Sequence, residues 1–342
     1  MPPTILQFLH QVVEGRSLSA EDADRVMEII LQGHAEQAQI AGFLVALRMK
    51  GETVDEVAGF ARAMRRVAEP LNIAGPLLDT CGTGGDGRAT FNISTVAAFI
   101  VAGAGARVAK HGNRSISSQC GSADVLEALG VDVTGGAQHA AEAIERIGIG
   151  FLFAPMFHGA MKHVQPVRRA LQMRSVFNML GPLTNPAGAT TQLAGAWSEH
   201  AAGLIAGALS QLGLTHAFVV YGHDGLDEIT TTDGTTIFEV RDAKVTRRVL
   251  VPEDFGVPRA DSTALAGGDV RRNAEIARGV LNGVKGAARD IALVNAALAL
   301  IAAGRAQEIQ EAMAMARESV DSGAAWAKLE QLAAFRPAPH SA

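Results

Sequence analysis

Residues 77–104 have the sequence LLDTCGTGGDGRATFNISTVAAFIVAGA, and this stretch decides the fold. A short apolar run over residues 77–80 leads into a glycine-rich loop, and an apolar helical pattern follows over residues 93–104. A strand, a loop and a helix in this order form the repeating unit of an α/β fold with parallel strands. Ligands of such sheets bind at the carboxyl ends of the strands, so the loop after Thr80 is predicted to bind one.

The same alternation of strands and helices continues towards the C-terminus. Strands are predicted over residues 107–110, 131–133, 151–153, 193–197 and 217–221, and a hairpin over residues 235–240 and 244–250. Helices are predicted over residues 124–129, 140–147, 160–171, 201–212, 273–281 and 290–335. The pattern therefore predicts an α/β fold class, with a mostly parallel central sheet covered by helices.

Residues 1–70 follow a helical pattern instead. Ser19 is a candidate helix N-cap, and Thr53 with Glu56 has the spacing of a capping box. In that motif the hydroxyl accepts a hydrogen bond from a backbone N–H group, and the carboxylate reaches back to another. We therefore expect a small N-terminal helical domain, followed by a linker that begins near Pro70.

The composition of the 342-residue chain limits the classes of function. The formal net charge is −5, from 30 Lys and Arg against 35 Asp and Glu, whereas a nucleic-acid-binding protein needs a surplus of basic residues. Cys81 and Cys120 are too few for a disulfide framework. The N-terminus lacks a signal-peptide pattern, and no apolar run reaches the roughly 18 residues of a membrane span. We expect a cytoplasmic protein with small-molecule partners and with no nucleic-acid or membrane partner.

The glycine-rich loop has two interpretations. Gly82, Gly84 and Gly87 have the GxGxxG spacing of dinucleotide-binding folds, which require a helix at the third glycine and an acidic residue about 20 positions later. Here the helix begins near Asn92 and the next strand ends in the cation Lys110, which disfavours a nicotinamide site. Glycines let backbone N–H groups approach an anion closely, so the loop is predicted to bind phosphate. A turn without a ligand is the alternative.

Two more groups of polar residues follow these strands. Four short polar side chains lie at the start of the helix that follows the glycine-rich loop: Thr90, Asn92, Ser94 and Thr95. One such side chain is enough to cap a helix, so the others are predicted to bind phosphate oxygens or a hard cation. Residues 110–118, KHGNRSISS, follow the second strand and include two fixed cations, Lys110 and Arg114. They predict a second anion-binding loop, with a solvated loop as the alternative. Ser122 is a candidate cap for the next helix or a phosphate contact.

An acidic pair, Asp227 and Glu228, follows the predicted strand over residues 217–221. Mg²⁺ is typically bound by one or two carboxylates together with substrate phosphates, whereas an ordinary acidic turn is the alternative. Beside two phosphate-binding loops, the pair predicts a substrate whose pyrophosphate is bound with Mg²⁺. The sequence has no Ser–His–Asp order, Walker A lysine or metalloprotease motif, so we expect a transfer reaction driven by electrostatics and positioning.

Together these motifs resemble the anthranilate phosphoribosyltransferase family of tryptophan biosynthesis, which has a nucleoside phosphorylase-like fold. The order and spacing of the motifs carry the resemblance along nearly the whole chain: GTGGD at 82–86, TFNIST at 90–95, KHGNR at 110–114, GSADVLEAL at 121–129, FNMLGPLTNP at 177–186 and DGLDE at 224–228. The resemblance implies transfer of the phosphoribosyl group of 5-phosphoribosyl 1-pyrophosphate to the amine of anthranilate, with release of pyrophosphate. It also implies a homodimer with two Mg²⁺ ions per monomer.

The resemblance also implies boundaries for two domains. Residues 1–70, with about 161–180, would form the helical domain and the dimer contact. Residues 71–160 and 181–342 would form the α/β domain, which would carry the phosphoribosyl pyrophosphate and metal sites.

The resemblance assigns site residues by motif, with no residue as acid or base. The phosphoribosyl pyrophosphate site would be formed by Gly82, Gly85, Asp86, Thr90, Asn92, Ile93, Ser94, Thr95, Lys110, His111, Gly112, Asn113, Arg114, Ser115, Ile116, Ser117, Ser118 and Ser122. The anthranilate site would be formed by Gly82, Asn113, His158 and Arg168. Ser94 and Glu228 would bind one Mg²⁺, and Asp227 with Glu228 a second. The family often has proline after this histidine, and Gly159 here predicts a looser turn.

Two alternative functions remain open at this point. A pyrimidine nucleoside phosphorylase of the same fold would use free phosphate and a nucleoside, but it would have little use for a metal-binding carboxylate pair. A non-catalytic relative that binds nucleic acid would be basic overall, in contrast to the net charge of −5.

Overall fold

A computed structural model of the chain describes residues 4–115 and 119–337. Its α-helices are α1 Ile5–Val13, α2 Ala20–Leu31, α3 Gln37–Lys50, α4 Val54–Val67, α5 Ile93–Gly103, α6 Ser122–Ala128, α7 Gly136–Ile147, α8 Ala154–Phe157, α9 Gln165–Leu171, α10 Phe177–Leu180, α11 Glu199–Gln211, α12 Val270–Leu281, α13 Ala287–Ala302, α14 Ile309–Asp321 and α15 Ala324–Ala334. Short 3₁₀ helices span Gly159–His163, Gly181–Leu183, Pro252–Phe255 and Ser262–Leu265. None of the described helices is long and apolar enough to cross a membrane.

One central sheet organises the larger part of the chain. Its strands are β1 Leu78–Gly82, β2 Val108–Gly112, β3 Ile149–Phe153, β4 Thr191–Gly195, β5 His216–Gly222, β6 Thr235–Arg241 and β7 Lys244–Leu250, in the order β3-β2-β1-β4-β5-β6-β7. Strands β1 to β5 are parallel, and β6 and β7 add an antiparallel hairpin. The predicted α/β class, with a helical N-terminal part and a mostly parallel sheet, is confirmed. The strand order reverses direction at β1, so a crevice opens at the carboxyl ends of β1 and β4.

Apolar helices cover both faces of the sheet. Helix α5 is apolar on all sides, because it packs between the sheet and the C-terminal helices α13, α14 and α15. On the other face, α11 packs against β5 and β6 and also against α4. The N-terminal helices thus share a continuous hydrophobic core with α11, and this core also includes Val164, Val167 and Phe177.

Three predicted elements differ from the structure. Residues 131–133 are not a strand: Gly130 ends the preceding turn with φ of +91°, and Asp132 accepts a hydrogen bond from the N–H group of Thr134, so the chain turns here. Residues 160–171 are not one helix, because a 3₁₀ turn ends at His163 and a new helix begins at Gln165, with Pro166 in its first turn. Residues 290–335 are helical as predicted, but they are divided into three helices near Gly304 and Gly323, which both have positive φ.

The capping box at the start of α4 also supports a buried ion pair. The carboxylate of Glu56 accepts hydrogen bonds from the backbone N–H groups of Leu18 and Thr53, each at 2.9 Å, and from Thr53 Oγ1 at 3.2 Å. Its Oε2 atom is also 2.9 Å from Nζ of Lys50, whose side chain is only 6% exposed. The carboxylate therefore satisfies two backbone groups and one buried cation, and it fixes α2, α3 and α4 together.

We expect Glu56→Ala to lower the free energy of unfolding by about 3–5 kcal/mol, because it leaves the Lys50 ammonium group buried without a negative charge beside it, with only Ser17 Oγ and the carbonyl oxygen of Gly51 as hydrogen-bond partners. Urea unfolding at pH 7 measures this change. Glu14→Ala is the control, because Glu14 pairs with Arg16 at the surface and such pairs contribute about 0–1 kcal/mol. Equal losses in the two variants would contradict the prediction.

Candidate active site

The loops predicted to bind ligands lie along one edge of the sheet. β1 and β4 are paired in register up to Gly82 and Gly195, and β2 ends beside β1 at Gly112. The loop after β5 packs directly against this edge. A Cβ atom on Gly195 would lie 1.5 Å from the carbonyl oxygen of Asp227, and one on Gly82 would lie 2.5 Å from Asp227 Oδ2. Glycine at both strand ends is therefore what allows the acidic loop to reach the glycine-rich loop.

The glycine-rich loop has the backbone conformation that its sequence predicts. Gly84, Gly85 and Gly87 have φ of +66°, +71° and +73°, a region that side chains disfavour. The N–H group of Gly84 donates a hydrogen bond to Asp227 Oδ2 at 2.7 Å. A backbone donor of the predicted phosphate loop is thus engaged by a carboxylate in this structure, which places the acidic pair within hydrogen-bond distance of the loop.

The pKa values of the acidic pair, Asp227 and Glu228, are raised by burial and by nearby negative charges. Burial, followed by the charge of nearby Asp86, raises the pKa of Asp227. Burial, followed by the charge of Asp227, raises the pKa of Glu228 well above its usual value. Glu228 Oε1 accepts a hydrogen bond from the N–H group of Ser94 at 3.1 Å, so the start of α5 faces this carboxylate. Crowded carboxylates with raised pKa values indicate a site that a cation would stabilise.

The oxygen donors of this loop fit the predicted Mg²⁺. No group of three or more His, Cys, Asp and Glu side chains is arranged to hold a metal within residues 4–115 and 119–337. Mg²⁺ does not require such a cage, because it commonly uses one or two carboxylates plus waters and substrate phosphates. Asp227, Glu228 and the hydroxyl of Ser94 supply a donor set of that kind.

Lys110 lies beneath the site rather than in the open crevice. The side chain is only 3% exposed, and its ammonium group donates to the carbonyl oxygen of Thr80 at 2.5 Å and lies 3.5 Å from Ser94 Oγ. Burial lowers its pKa, while neighbouring Asp79 and Glu228 oppose that change. Its contact with phosphate stays a prediction; in this structure the cation supports the strand end and the helix start.

Most of the residues predicted to bind a ligand at the start of α5 form contacts within the protein. The amide of Asn92 donates to the carbonyl oxygen of Cys120 at 3.2 Å and accepts from Asn273 at 3.1 Å. Ile93 and Thr95 are buried, and their N–H groups are bonded to backbone carbonyls. Thr90 forms a β-bridge with Ala266. Ser94 is the member of this group that faces the acidic pair.

The second polar loop is held by an ion-pair network. The guanidinium group of Arg114 pairs with Asp124 at 2.9 Å and with Glu127 at 2.6 Å, and these hydrogen bonds raise its pKa. Asn113 and Ser122 exchange two hydrogen bonds of 3.2 Å. Arg114 is thus engaged by two carboxylates in this structure, and its contact with phosphate stays a prediction. Ser115 donates its N–H group to Asp124, and the predicted Ile116, Ser117 and Ser118 lie outside the described residues.

Two neutral histidines, His111 in β2 and His158 after α8, lie side by side, and we call this pair the histidine wall. The rings of His111 and His158 are 5.2 Å apart, and Nδ1 of His111 lies 3.2 Å from the carbonyl oxygen of Gly181. Burial lowers the pKa of His111 to about 4 and that of His158 to about 3. Each ring has a buried Nε2 atom without a hydrogen-bond partner among the described residues. The N–H group of His158 donates to the carbonyl oxygen of Ala154, and the N–H group of Met161 donates to the carbonyl oxygen of His158. The looser turn expected at Gly159 stays a prediction.

These two histidines predict a loss of stability in acid. Because their folded-state pKa values lie below the usual 6.5, the unfolded chain binds more protons than the folded chain once the pH falls below about 6.5. Between pH 7 and pH 5 we expect the wild type to lose about 3–4 kcal/mol more unfolding free energy than a His111→Asn, His158→Asn double variant. Chemical unfolding of both proteins at both pH values measures this difference. The contributions of the carboxylates cancel, because the two proteins contain the same Asp and Glu residues. Equal losses would contradict the prediction.

Arg168 presents an unpaired cation in the segment that follows the histidine wall. It is half-buried on α9, and its guanidinium carbon lies 5.6 Å from the centre of the Phe177 ring. Burial lowers its pKa, and no described residue forms an ion pair with it. A half-buried guanidinium group without a carboxylate partner is suited to bind the carboxylate of a ligand.

Four residues in or beside the site were not predicted from the sequence: Asp79, Arg174, Gly195 and Asn273. Asp79 is fully buried in β1, accepts a hydrogen bond from the N–H group of His111 at 3.0 Å and lies near Lys110. Arg174 donates a hydrogen bond to the carbonyl oxygen of Gly85. A carboxylate inside an apolar strand is the one sequence signal that could have been used, because a buried charge needs a partner.

Comparison with known proteins agrees with this geometry. Residues 74–326 match the model of the glycosyl transferase family α/β domain, and residues 6–68 match its helical bundle domain. The chain is 61% identical to an anthranilate phosphoribosyltransferase of Solibacter usitatus, over 97% of this chain and 98% of that protein. It is 54% identical to the enzyme of the same name from Moorella thermoacetica, over 96% and 97% of the two chains.

Solved structures of similar proteins have the same fold. The anthranilate phosphoribosyltransferase of Thermus thermophilus matches with a TM-score of 0.91 and 44% identity, over 95% of this chain and 98% of that one. The Saccharomyces cerevisiae enzyme, solved with phosphoribosyl pyrophosphate and Mg, matches with a TM-score of 0.87 and 29% identity, over 96% of both chains. Both family models and these near full-length relatives lead to one assignment. The chain belongs to the anthranilate phosphoribosyltransferase family.

Proposed function

We propose that the chain carries out the reaction of its family at this crevice, transferring the phosphoribosyl group of 5-phosphoribosyl 1-pyrophosphate to anthranilate. The observation that carries the proposal is the contact between the glycine-rich loop and the acidic pair, through Gly84 and Asp227. It brings phosphate-binding N–H groups and cation-binding carboxylates to one edge of the sheet. That combination suits a pyrophosphate bound with a divalent cation.

We assign the cation as Mg²⁺ and propose two ions per monomer. Ser94 and Glu228 would hold one ion, and Asp227 with Glu228 the second. A yeast relative was solved with phosphoribosyl pyrophosphate and Mg, which supports the choice of metal. When bound, Mg²⁺ would neutralise charge that develops on the departing pyrophosphate.

The acceptor site is proposed on the other side of the crevice. Arg168 would bind the carboxylate of anthranilate, and Gly82, Asn113 and His158 would line its route. A yeast relative was solved with 4-fluoroanthranilate, which supports an anthranilate site in the family. The Nε2 atoms of His111 and His158, which have no hydrogen-bond partner in the described part of the chain, offer polar contacts for an acceptor.

The transfer needs no strong base on the protein. The aromatic amine of anthranilate is neutral at pH 7, so its lone pair can attack C1 of the ribose as the bond from C1 to the pyrophosphate oxygen breaks. Once the new C–N bond has formed, the positively charged nitrogen releases a proton to solvent water. The transition state is expected to be oxocarbenium-like, as in glycosyl transfer generally. Burial keeps His111 and His158 neutral, so neither adds a positive charge beside the developing cation.

The remaining proposals concern organisation. We propose that residues 1–70, with about 161–180, act as the helical domain and form the contact of a homodimer in the cytoplasm. Exposed apolar side chains on α1 and α3 support this surface: Leu6 is 43% exposed, Val13 66% and Met49 83%. Residues 71–160 and 181–342 would then form the catalytic α/β domain.

The test is to mix purified protein with anthranilate, phosphoribosyl pyrophosphate and Mg²⁺ and to follow the loss of anthranilate fluorescence. We expect loss that requires both substrates and stops with EDTA. A parallel assay for phosphorolysis of thymidine or uridine tests the nucleoside phosphorylase alternative. No loss of fluorescence from folded protein would overturn the proposed acceptor, and phosphorolysis would replace it with the alternative.

A further inference from the structure

Arg174 joins two parts of the site that are far apart in the sequence. It lies between α9 and α10, in the same segment as Arg168, and its Nη2 atom donates a hydrogen bond to the carbonyl oxygen of Gly85. Its guanidinium carbon also lies 5.3 Å from the centre of the Trp197 ring, just beyond the end of β4. No described residue forms an ion pair with Arg174, so a carbonyl and an aromatic face are its partners.

The contact falls on the most adaptable part of the phosphate loop. Gly84, Gly85 and Gly87 all have positive φ, and a loop of glycines loses much conformational entropy when it is ordered. Asp227 accepts a hydrogen bond from the N–H group of Gly84, and Arg174 donates one to the carbonyl oxygen of Gly85. Because the peptide group is planar, fixing the carbonyl of Gly85 also fixes the direction of the N–H group of Asp86.

We propose that Arg174 is a positioning residue that couples the binding of the two substrates. This inference rests on the site proposed above, in which the glycine-rich loop binds phosphoribosyl pyrophosphate and the segment of Arg168 binds anthranilate. A ligand that orders either part lowers the cost of ordering the other, because the guanidinium group connects them. Such coupling is reciprocal, so each substrate strengthens the binding of the other by the same factor.

The chain offers a matched control for this role. Arg169 lies five residues before Arg174 in the same segment, is also exposed and has no described partner. Arg169→Gln and Arg174→Gln therefore remove the same charge from the same surface, but only the second removes the bridge. Arg174→Lys keeps a donor for the carbonyl of Gly85 and loses the planar face that stacks on Trp197.

Initial rates over a grid of both substrates test the proposal. For Arg174→Gln we expect the KM values for phosphoribosyl pyrophosphate and anthranilate each to rise about five- to tenfold, with kcat within about twofold of wild type. Arg169→Gln should match the wild type, and Arg174→Lys should fall between. Calorimetric titration with pyrophosphate and Mg²⁺, which cannot react with anthranilate, should show that anthranilate strengthens binding in the wild type and does so about five- to tenfold less in Arg174→Gln.

Three outcomes would overturn the coupling. They are equal KM values in Arg174→Gln and Arg169→Gln, a change in only one of the two KM values, and a fall in kcat with both KM values unchanged. Circular dichroism verifies folding, and Arg174→Lys carries the comparison if Arg174→Gln does not fold. A wild type without turnover would reject the proposed function instead, and calorimetry with and without anthranilate would still decide whether Arg174 couples the two parts of the site.

Discussion

Replacing Asp227 and Glu228 together by alanine is expected to abolish Mg²⁺-dependent turnover, with a loss of at least about a thousandfold in kcat/KM. The proposed cation stabilises the departing pyrophosphate by several kcal/mol, and each 1.36 kcal/mol is a factor of ten in rate. Without these two carboxylates the site keeps the nearby carboxylate of Asp86, the hydroxyl of Ser94 and backbone groups, and neither carboxylate assigned to the two ions remains. Fluorescence assays over a range of Mg²⁺ concentrations measure the loss.

Two further variants separate charge from shape. In Asp227→Asn the amide oxygen can still accept the hydrogen bond of Gly84, so a loss there reports charge rather than a collapsed loop. Asp233→Asn is the matched control, because Asp233 lies on the same strand connection, is exposed and accepts the N–H group of Gly234. Full activity in the double alanine variant would show that the metal assignment is wrong.

The same double variant is expected to be at least as stable as the wild type. The pKa values of both carboxylates are raised by burial and by negative neighbours, so their ionised forms are destabilising at pH 7. In the folded state Asp227 packs against two strand ends, at Gly82 and Gly195. A side chain at either glycine would clash with Asp227. Carboxylates that lower the stability of the fold, at positions that require glycine neighbours, are characteristic of a binding site rather than of a structural core.

The parts of the fold that could be predicted are those in which local sequence decides the structure. The strand at Leu78, the glycine loop and the helix from Ile93 follow from periodicity and from the backbone freedom of glycine. The strand predicted over residues 131–133 was wrong, because Val131 and Val133 are buried for packing and not for sheet pairing. Alternating apolar residues in so short a run do not distinguish the two cases.

The candidate site was predictable in its location but not in all of its contacts. Lys110 and Arg114 were expected to bind phosphate because both are cations in a loop after a strand. Their partners come from other elements: Thr80 and Ser94 for Lys110, and the carboxylates of α6 for Arg114. A sequence pattern indicates which charges are close in the chain, whereas pairing depends on which charges the fold brings together.

Arg174, Gly195 and Asn273 were missed for the same reason. Each acts on a residue that is distant in sequence: the carbonyl of Gly85, the backbone of Asp227 and the amide of Asn92. None of the three belongs to a local pattern, so only the three-dimensional structure reveals them.

Replacing Arg168 by alanine is expected to raise the KM for anthranilate by about 10- to 100-fold. A charge-assisted hydrogen bond from a half-buried guanidinium group to a carboxylate contributes about 1.5–3 kcal/mol, which corresponds to this range. The KM for phosphoribosyl pyrophosphate should stay within about twofold, because that substrate binds at the glycine-rich loop. Initial rates with each substrate varied in turn measure both values.

The control for this prediction is Arg169→Ala, which removes a neighbouring exposed cation that has no described partner. If both arginine variants raised the anthranilate KM equally, a general loss of positive charge would explain the effect and the assignment of Arg168 would fail. The pattern also separates Arg168 from Arg174. A residue that binds the acceptor carboxylate changes one KM, whereas a residue that connects the two substrate-binding parts changes both. An unchanged anthranilate KM in Arg168→Ala would exclude Arg168 from the acceptor site.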